Sequence, residues 1–148
     1  MKIKLLCRKE KEESYRQQLQ NGEIRFGSPA DLILMEPQFL LDELLIREEE
    51  GISIVSPQEI LYVESLQNQL KLHAKQKTYH TGGTLYQMEA SLYPKGFLRI
   101  HKSYLVNRRH IAMIKTSLNM KFVLVLSDGS HLEVSRSYYY QFKEEIGF

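Results

Sequence analysis

Basic side chains alternate with hydroxyl and amide side chains between residues 99 and 137, and together they could grip a polyanion. The basic residues of this stretch are Arg99, Lys102, Arg108, Arg109, Lys115, Lys121 and Arg136. The polar residues between them include Ser103, Asn107, Asn119, Ser135 and Ser137. Such groups donate to phosphate oxygens in nucleic acids, and Lys and Arg also donate to guanine O6 and N7 in the major groove. The stretch therefore indicates contacts made from loops and strand ends.

The sequence has no comparable pattern that would indicate catalysis or metal binding. Cys7 is the single cysteine, and the chain has neither a G-x-S-x-G motif nor a glycine-rich phosphate loop. His101 could act as a general base, but nothing in the sequence offers it a nucleophile or an orienting acid. The run from Glu48 to Glu50 is typical of a solvated turn, and the five histidines lack zinc-ligand spacing. We expect no enzyme, no cofactor and no metal.

The charge of the chain is divided unevenly, although its net value is only +2. Residues 1–64 hold eight Lys and Arg against thirteen Asp and Glu, whereas residues 65–143 hold twelve against three. This asymmetry indicates a polyanion-binding C-terminal part joined to an acidic N-terminal part. The alternative is an ordinary domain with uneven surface charge.

Nothing in the sequence indicates a membrane span or a secretion signal. The longest apolar runs, at 39–41 and 122–126, are far shorter than the roughly 20 residues that a spanning helix needs. The N-terminus has no apolar centre followed by a small-residue cleavage site. We expect a cytoplasmic protein without a transmembrane segment of its own.

The elements that must position the basic residues differ between the two parts of the chain. Residues 1–43 predict a small α/β segment: a strand at 2–7, a helix from 9 to Gly22, and strands at 23–27 and 30–36 stopped by Pro37. We expect this segment to pack on the rest of the chain or on another chain, and to serve packing, dimerisation or regulation.

Residues 44–148 predict a mainly β domain with two short helices. Short strands flank hairpin turns at 49–51, 66–69 and Asp128-Gly129. Thr84 and Gln87 predict a capping box for the first helix, which Pro94 and Gly96 end. The second helix begins near residue 137, with Ser137 as its predicted cap, and its inward side chains are Tyr138, Phe142 and Ile146.

The stretch "RIHKSYLVNRRHI" at 99–111 breaks its own alternation. Leu98 and Ile100 begin a period-2 pattern, Lys102 stands where an apolar residue is due, and Tyr104 and Val106 resume the pattern. The break predicts two strands joined by a tight turn around Lys102 and Ser103, followed by one helical turn at 107–109. On this interpretation Lys102 leaves the sheet.

Three motifs resemble the LytTR DNA-binding domain family of bacterial transcription regulators. They are "EILYVES" at 59–65, "FLRIHKSYLVNRRHI" at 97–111 and "DGSHLEVSRSY" at 128–138, and the match covers about Leu44 to Ile146. The resemblance implies three small β-sheets with two helices, whose loops read the major groove of double-stranded DNA. It also implies promoter sites built of two direct repeats about one helical turn apart.

The resemblance assigns roles to individual residues. Base reading falls to Lys102, Arg136 and the 66–69 loop with Asn68 and Gln69, although an aromatic residue often follows the asparagine in the family. The residue types themselves lead us to expect phosphate contacts from His101, Ser103, Arg108, Arg109, Ser135 and Ser137. Two alternatives stay open: Lys102 merely caps a turn, and Arg136 neutralises a carboxylate such as Glu133.

The resemblance also bears on partners. Many members carry a phosphoacceptor receiver domain ahead of the DNA-binding part, and 43 residues cannot hold one, so we expect a stand-alone member. A homodimer or tandem binding on repeats is expected, and a regulatory membrane-protein partner is implied by the resemblance only. The competing hypotheses are a protein-interaction module and an RNA-binding β domain, since exposed members of the nine tyrosines could stack on bases.

Overall fold

Four β-sheets and three α-helices account for most of the part of the chain that the structure describes. The structure is a computed structural model and describes residues 1–37 and 42–148. The elements of the N-terminal segment are β1 (Lys2–Leu6), α1 (Lys9–Gln18), β2 (Arg25–Phe26) and β3 (Leu32–Met35). Their strands form a parallel sheet in the order β2-β1-β3. The predicted α/β character of this segment is confirmed.

The predicted end of α1 at Gly22 is wrong. The helix ends at Gln18, because the chain turns back toward β2 through Asn21, whose Oδ1 accepts a hydrogen bond from the Glu23 amide at 2.9 Å. A local side-chain to backbone bond of this kind competes with helix continuation.

The remaining elements alternate short strands with two helices, as predicted from residue 44 onward. The strands are β4 (Leu44–Glu48), β5 (Gly51–Val55), β6 (Ile60–Leu66), β7 (Gln69–Ala74), β8 (Thr78–Thr81), β9 (Phe97–His101), β10 (Tyr104–Asn107), β11 (Ile111–Ser117), β12 (Lys121–Leu126) and β13 (His131–Val134). The helices are α2 (Leu85–Leu92) and α3 (Tyr139–Ile146), and single 3-10 turns occupy 57–59, 93–95, 108–110 and 136–138.

A five-stranded sheet in the order β8-β7-β6-β10-β9 is the centre of the domain. One face packs against the β4-β5 hairpin and α2, in a core that includes Val63, Leu72 and Leu105. The other face packs against α3 and the β11-β12-β13 sheet, in a core that includes Ile100 and Phe122. The turns at the ends of these strands reach solvent, as does the edge strand β8, whose Thr78 and His80 are exposed.

The two helices of the domain are placed by different signals. The predicted capping box of α2 is confirmed, since Thr84 Oγ1 accepts from the Gln87 amide at 3.2 Å. The prediction that Ser137 caps the last helix is wrong: Ser137 lies inside the 136–138 turn, and α3 begins at Tyr139 without a side-chain cap. The burial of Phe142 in the core that includes Ile100 and Phe122, called the second core below, holds this helix in place instead. Across residues 1–37 and 42–148, every helix is too short or too polar to cross a bilayer.

The N-terminal segment packs on α2 rather than standing apart. Leu6 and Ala90 share a small apolar cluster, and the Tyr86 hydroxyl donates to Glu12 Oε2 at 3.0 Å. The hydroxyls of Tyr93 and Ser28 lie 2.7 Å apart. The segment thus contacts the rest of the chain, which is one of the two arrangements expected from sequence.

Candidate nucleic-acid interface

The turn between β9 and β10 presents Lys102 to solvent. The two strands pair up to His101 and Tyr104, and residues 102–103 form the turn between them. His101 Nδ1 accepts from the Ser103 amide at 3.0 Å, and the Ser103 carbonyl accepts from the Ser65 amide of β6 at 2.8 Å. The prediction that the chain leaves the sheet at Lys102 is confirmed, and the turn is tied to the neighbouring strand.

Arg136 lies on a second turn, which is tied to the same strand β9. The Ser135 amide donates to the Ile100 carbonyl at 2.9 Å, just as β13 ends. Arg136 is exposed and begins the 136–138 turn. Glu133, named from sequence as a partner that Arg136 could neutralise, is instead paired with Lys121, at 2.6 Å between Glu133 Oε1 and Lys121 Nζ. Within the described residues, the side chains of Lys102 and Arg136 have no hydrogen bond or ion pair.

An open groove of about 370 Å³ lies between these two turns. Its lining comes from β9, β10, β12, β13 and the loop after β13, and consists of His101, Tyr104, Lys121, His131, Leu132, Glu133, Ser135 and Arg136. Although two histidines and a glutamate share the groove, no three His, Cys, Asp or Glu side chains of the described chain are grouped to hold a metal ion. The groove therefore presents hydrogen-bond donors and positively charged side chains.

The third predicted base contact lies at the same end of the central sheet as Lys102. Gln67 and Asn68 form the β6-β7 turn with φ of 50° and 63°, and the strand that leads into it contains Ser65, which is bonded to the Lys102 turn. Asn68 is exposed on that turn. Gln69, predicted to lie in the loop, is instead the first residue of β7, where it pairs with Leu66.

The predicted phosphate contacts differ in how freely their side chains can reach DNA. Ser137 and Arg109 are exposed, whereas His101, Ser103 and Ser135 are half-buried beside the turns. Arg108 is exposed too, but its guanidinium donates to the carbonyls of Glu145 at 3.0 Å and Ile146 at 3.4 Å. A cation on the last carbonyls of a helix stabilises its C-terminus. Arg108 therefore has a structural task that sequence did not indicate.

Asn107 is a structural residue within the 97–111 motif. It is 1% exposed, and its Nδ2 donates to the Ile60 carbonyl at 2.9 Å. Its Oδ1 accepts from the Arg109 amide at 3.1 Å and so begins the 108–110 turn. One amide side chain thus joins β10 to the start of β6.

A row of rings across the central sheet was missed by the sequence analysis. The rings of Tyr62 and His73 stack with centroids 4.2 Å apart, and the Tyr104 hydroxyl donates to Glu64 Oε1 at 3.3 Å. Burial raises the pKa of the Tyr104 hydroxyl, and the nearby Glu64 carboxylate raises it further. These half-buried rings support the sheet under the turns. Long-range strand pairing brings them together, so local sequence could not show it.

Comparison with known proteins agrees with the geometry. A family model described as LytTr DNA-binding domain matches residues 50–147. The chain belongs to the LytTR DNA-binding domain family. A solved LytTr DNA-binding domain from Bacillus cereus superposes with a TM-score of 0.68 at 26% identity, covering 73% of this chain and 99% of that one. The predicted LytTR-like, mainly β arrangement of small sheets with two helices is confirmed.

Two curated relatives extend the likeness to longer proteins. The sensory transduction protein LytT of Enterococcus faecalis is 35% identical over 102 residues, which are 69% of this chain and 42% of that protein. The transcriptional regulatory protein LytR of Staphylococcus aureus is 29% identical over 104 residues, which are 70% of this chain and 42% of LytR. The LytTR chain thus spans less than half the length of these relatives.

Proposed function

We propose that this LytTR chain is a sequence-specific transcription regulator that reads promoter DNA through turns of a β scaffold, and that it is not an enzyme. Residues 44–148 form the DNA-binding domain in this proposal, and residues 1–43 a packing and regulatory segment. One observation carries the proposal: Lys102 and Arg136, both without a partner among the described residues, lie on two backbone-tied turns that flank one open groove.

The geometry suits base reading for a physical reason. A Lys or Arg side chain that donates to guanine O6 and N7 must approach the base edge from a defined position. The bonds from Ser65 to Ser103 and from Ser135 to Ile100 order the two turns before DNA arrives, which lowers the entropy lost on binding. Asn68, on the adjacent turn, is the proposed third contact, with Gln69 beside it at the start of β7.

Phosphate contacts supply affinity in this proposal. The proposed set is His101, Ser103, Arg109, Ser135 and Ser137, of which Arg109 has the basic side chain without a partner in the described chain. Arg108, expected from sequence to join this set, has a structural role in the proposal because its guanidinium binds the carbonyls of Glu145 and Ile146. The named relatives, a sensory transduction protein and a transcriptional regulatory protein, support a role in gene regulation. We further propose a cytoplasmic location and binding as a homodimer or in tandem on repeats, with a membrane protein as a regulatory partner.

Selection of bound sequences from a random duplex pool tests the proposal. Enrichment of one motif, repeated at about one helical turn or 10 base pairs, is the expected result. On the selected site, Lys102→Ala or Arg136→Ala should cost about 1–3 kcal/mol of binding free energy and flatten the preference at one base position each. Lys75→Ala, an exposed basic residue beyond β7, is the control. Unchanged base preference in Arg136→Ala would show that Arg136 does not read bases.

Salt dependence distinguishes DNA binding from the competing functions. Of the seven basic residues between 99 and 136, Lys102, Arg109, Lys115 and Arg136 have side chains without partners in the described chain. If all four neutralise phosphates, log K should fall with log salt with a slope of about −3.6, against about −6 for all seven. Titration against single-stranded RNA is the companion measurement. Tyr104, the tyrosine of the groove, is half-buried and bonded to Glu64, which disfavours base stacking on its ring.

A further inference from the structure

Arg99 is the basic residue of the 97–111 motif whose three guanidinium nitrogens each donate within the protein. Its Nε donates to the His101 carbonyl at 2.7 Å, and its Nη2 donates to the Lys102 carbonyl at 2.6 Å. Its Nη1 donates to Glu89 Oε2 at 3.0 Å. The Arg99 side chain is only 14% exposed and that of Glu89 19%. Binding a phosphate with the full guanidinium fork would therefore require Arg99 to give up hydrogen bonds within the protein.

The two carbonyls that Arg99 binds belong to the peptide planes on either side of the Lys102 Cα. Each peptide unit is planar, so fixing the oxygen of one unit limits the rotation of that whole unit. With both planes held, φ and ψ of Lys102 are fixed, and so is the direction of its Cα–Cβ bond. The guanidinium is itself a rigid planar fork, which makes it suited to hold two acceptors at once.

The strand pairing around the turn does not supply this order by itself. Tyr104 pairs with His101, but the β9-β10 register shifts between Tyr104 and Leu105. A β-bulge of this kind interrupts the ladder and redirects the side chains next to it. The bonds from the Ser103 amide to His101 and from Ser65 to the Ser103 carbonyl hold the far side of the turn. Arg99 holds the near side, which contains Lys102.

Glu89 determines where the guanidinium lies. It projects from α2, a helix whose start is fixed by the Thr84–Gln87 capping box, and α2 packs against β9. A bond between two oppositely charged, partly buried groups is shorter and stronger than a neutral one. The carboxylate also balances the charge of Arg99, so Arg99 adds little attraction for DNA.

We propose that Arg99 and Glu89 are positioning residues for base recognition: together they set the direction in which the Lys102 side chain meets the DNA. This inference rests on the proposed function. It assigns Arg99 no contact with phosphate or base, and it assigns α2 an indirect part in specificity.

The test compares base preferences in Arg99→Lys and Glu89→Gln with those of the wild type and of Lys102→Ala. Lysine keeps the charge, but a single ammonium group cannot reproduce the fork. Affinity is measured for a panel of duplexes in which each base pair of the selected site is replaced in turn. Arg99→Lys should lose about fivefold or more of the preference at the position that Lys102→Ala affects. It should keep the preference that depends on Arg136.

The salt slope is the second readout; it is measured in Arg99→Gln, with Arg109→Gln as the matched control, because these changes remove the charge. A positioning role leaves the slope of log K against log salt unchanged in Arg99→Gln, whereas a lost phosphate contact, as expected for Arg109→Gln, reduces it by about 0.9. A uniform loss of affinity with a smaller slope and intact base preferences would overturn the inference. If Arg99→Lys fails to fold, as judged by circular dichroism, Glu89→Gln becomes the deciding variant, because it keeps the guanidinium and leaves both carbonyl bonds available. An unchanged base preference in Glu89→Gln would overturn the role of Glu89 and with it the proposed pair.

The outcomes also separate this inference from the proposed function. If the wild type shows no preference for any duplex, the proposed function fails and the inference fails with it. If the wild type and Lys102→Ala differ at one base position while Arg99→Lys and Glu89→Gln both match the wild type there, only the inference fails.

Discussion

Replacing Asn107 should test whether the 97–111 motif contains a structural residue that does not contact DNA. The side chain is 1% exposed, and Asn107→Ala removes both the donor to the Ile60 carbonyl and the acceptor for the Arg109 amide. A polar group left unsatisfied when buried costs about 1–3 kcal/mol. Loss of the residue that begins a helical turn costs about 0.5–2 kcal/mol. We therefore expect a loss of about 2–5 kcal/mol in the free energy of unfolding, a large share of the total of a small domain.

Urea denaturation followed by circular dichroism measures this loss, and a second substitution identifies its cause. Asn107→Asp keeps the shape and the acceptor but directs a carboxylate oxygen at the Ile60 carbonyl, where a donor is needed. It should therefore be at least as destabilising as Asn107→Ala near neutral pH. Asn119→Ala, on the exposed turn between β11 and β12, should change the unfolding free energy by less than about 0.5 kcal/mol.

Affinity for the selected duplex completes this test. A folded fraction of Asn107→Ala, measured well below its unfolding midpoint, should bind with the salt slope of the wild type, because Asn107 reaches no phosphate. A stable variant with weakened and less salt-sensitive binding would refute the structural assignment and make Asn107 a DNA contact.

Four further substitutions should have effects whose direction follows from the contacts. Phe122→Ala should lower the free energy of unfolding by about 3–5 kcal/mol in a urea melt, because the ring is 1% exposed in the second core. Arg108→Ala should lower the melting temperature and leave the salt slope unchanged, whereas Arg109→Ala should reduce the slope by about 0.9 without affecting the melt. Glu12→Gln should destabilise the protein near pH 7 and have little effect at acid pH. The hydrogen bond from Arg16 holds the pKa of Glu12 in the folded state below its usual value. The stabilisation is therefore present above the usual pKa of a glutamate and is lost as pH falls through the folded pKa; parallel melts at both pH values measure this.

The parts of the fold that local chemistry determines could be predicted from sequence. The Asp128-Gly129 turn and the Thr84–Gln87 capping box depend on residues within a few positions of each other, and both follow known preferences. The break of alternation at Lys102 is equally local. The end of α1 and the start of α3 were predicted wrongly. At both places a local turn, formed by Asn21 in one case and by residues 136–138 in the other, competes with the preferences for helix-capping residues.

The partners of the basic residues could not be predicted, because they depend on contacts that are distant in sequence. Lys121 and Glu133 are neighbours only because β12 and β13 pair with Val123 opposite Glu133. Arg99 meets Glu89 only because α2 packs beside β9. Sequence alone therefore could not tell which cations of the 99–136 stretch are free to contact DNA, and the structure commits three of the seven to contacts within the protein.

Strand β9 links the two turns that the proposed function assigns to base reading with the stability of the core. The carbonyl of Ile100 holds the Ser135 amide and so the Arg136 turn, while the Ile100 side chain is 0% exposed in the core that also contains Phe122. The strand ends at His101, and the Lys102 turn follows. A substitution that shifts Ile100 should therefore displace both turns as well as weaken packing. Substituting Lys102 or Arg136 leaves the core intact, so under the proposed function these two exposed side chains are where specificity can change without loss of the fold.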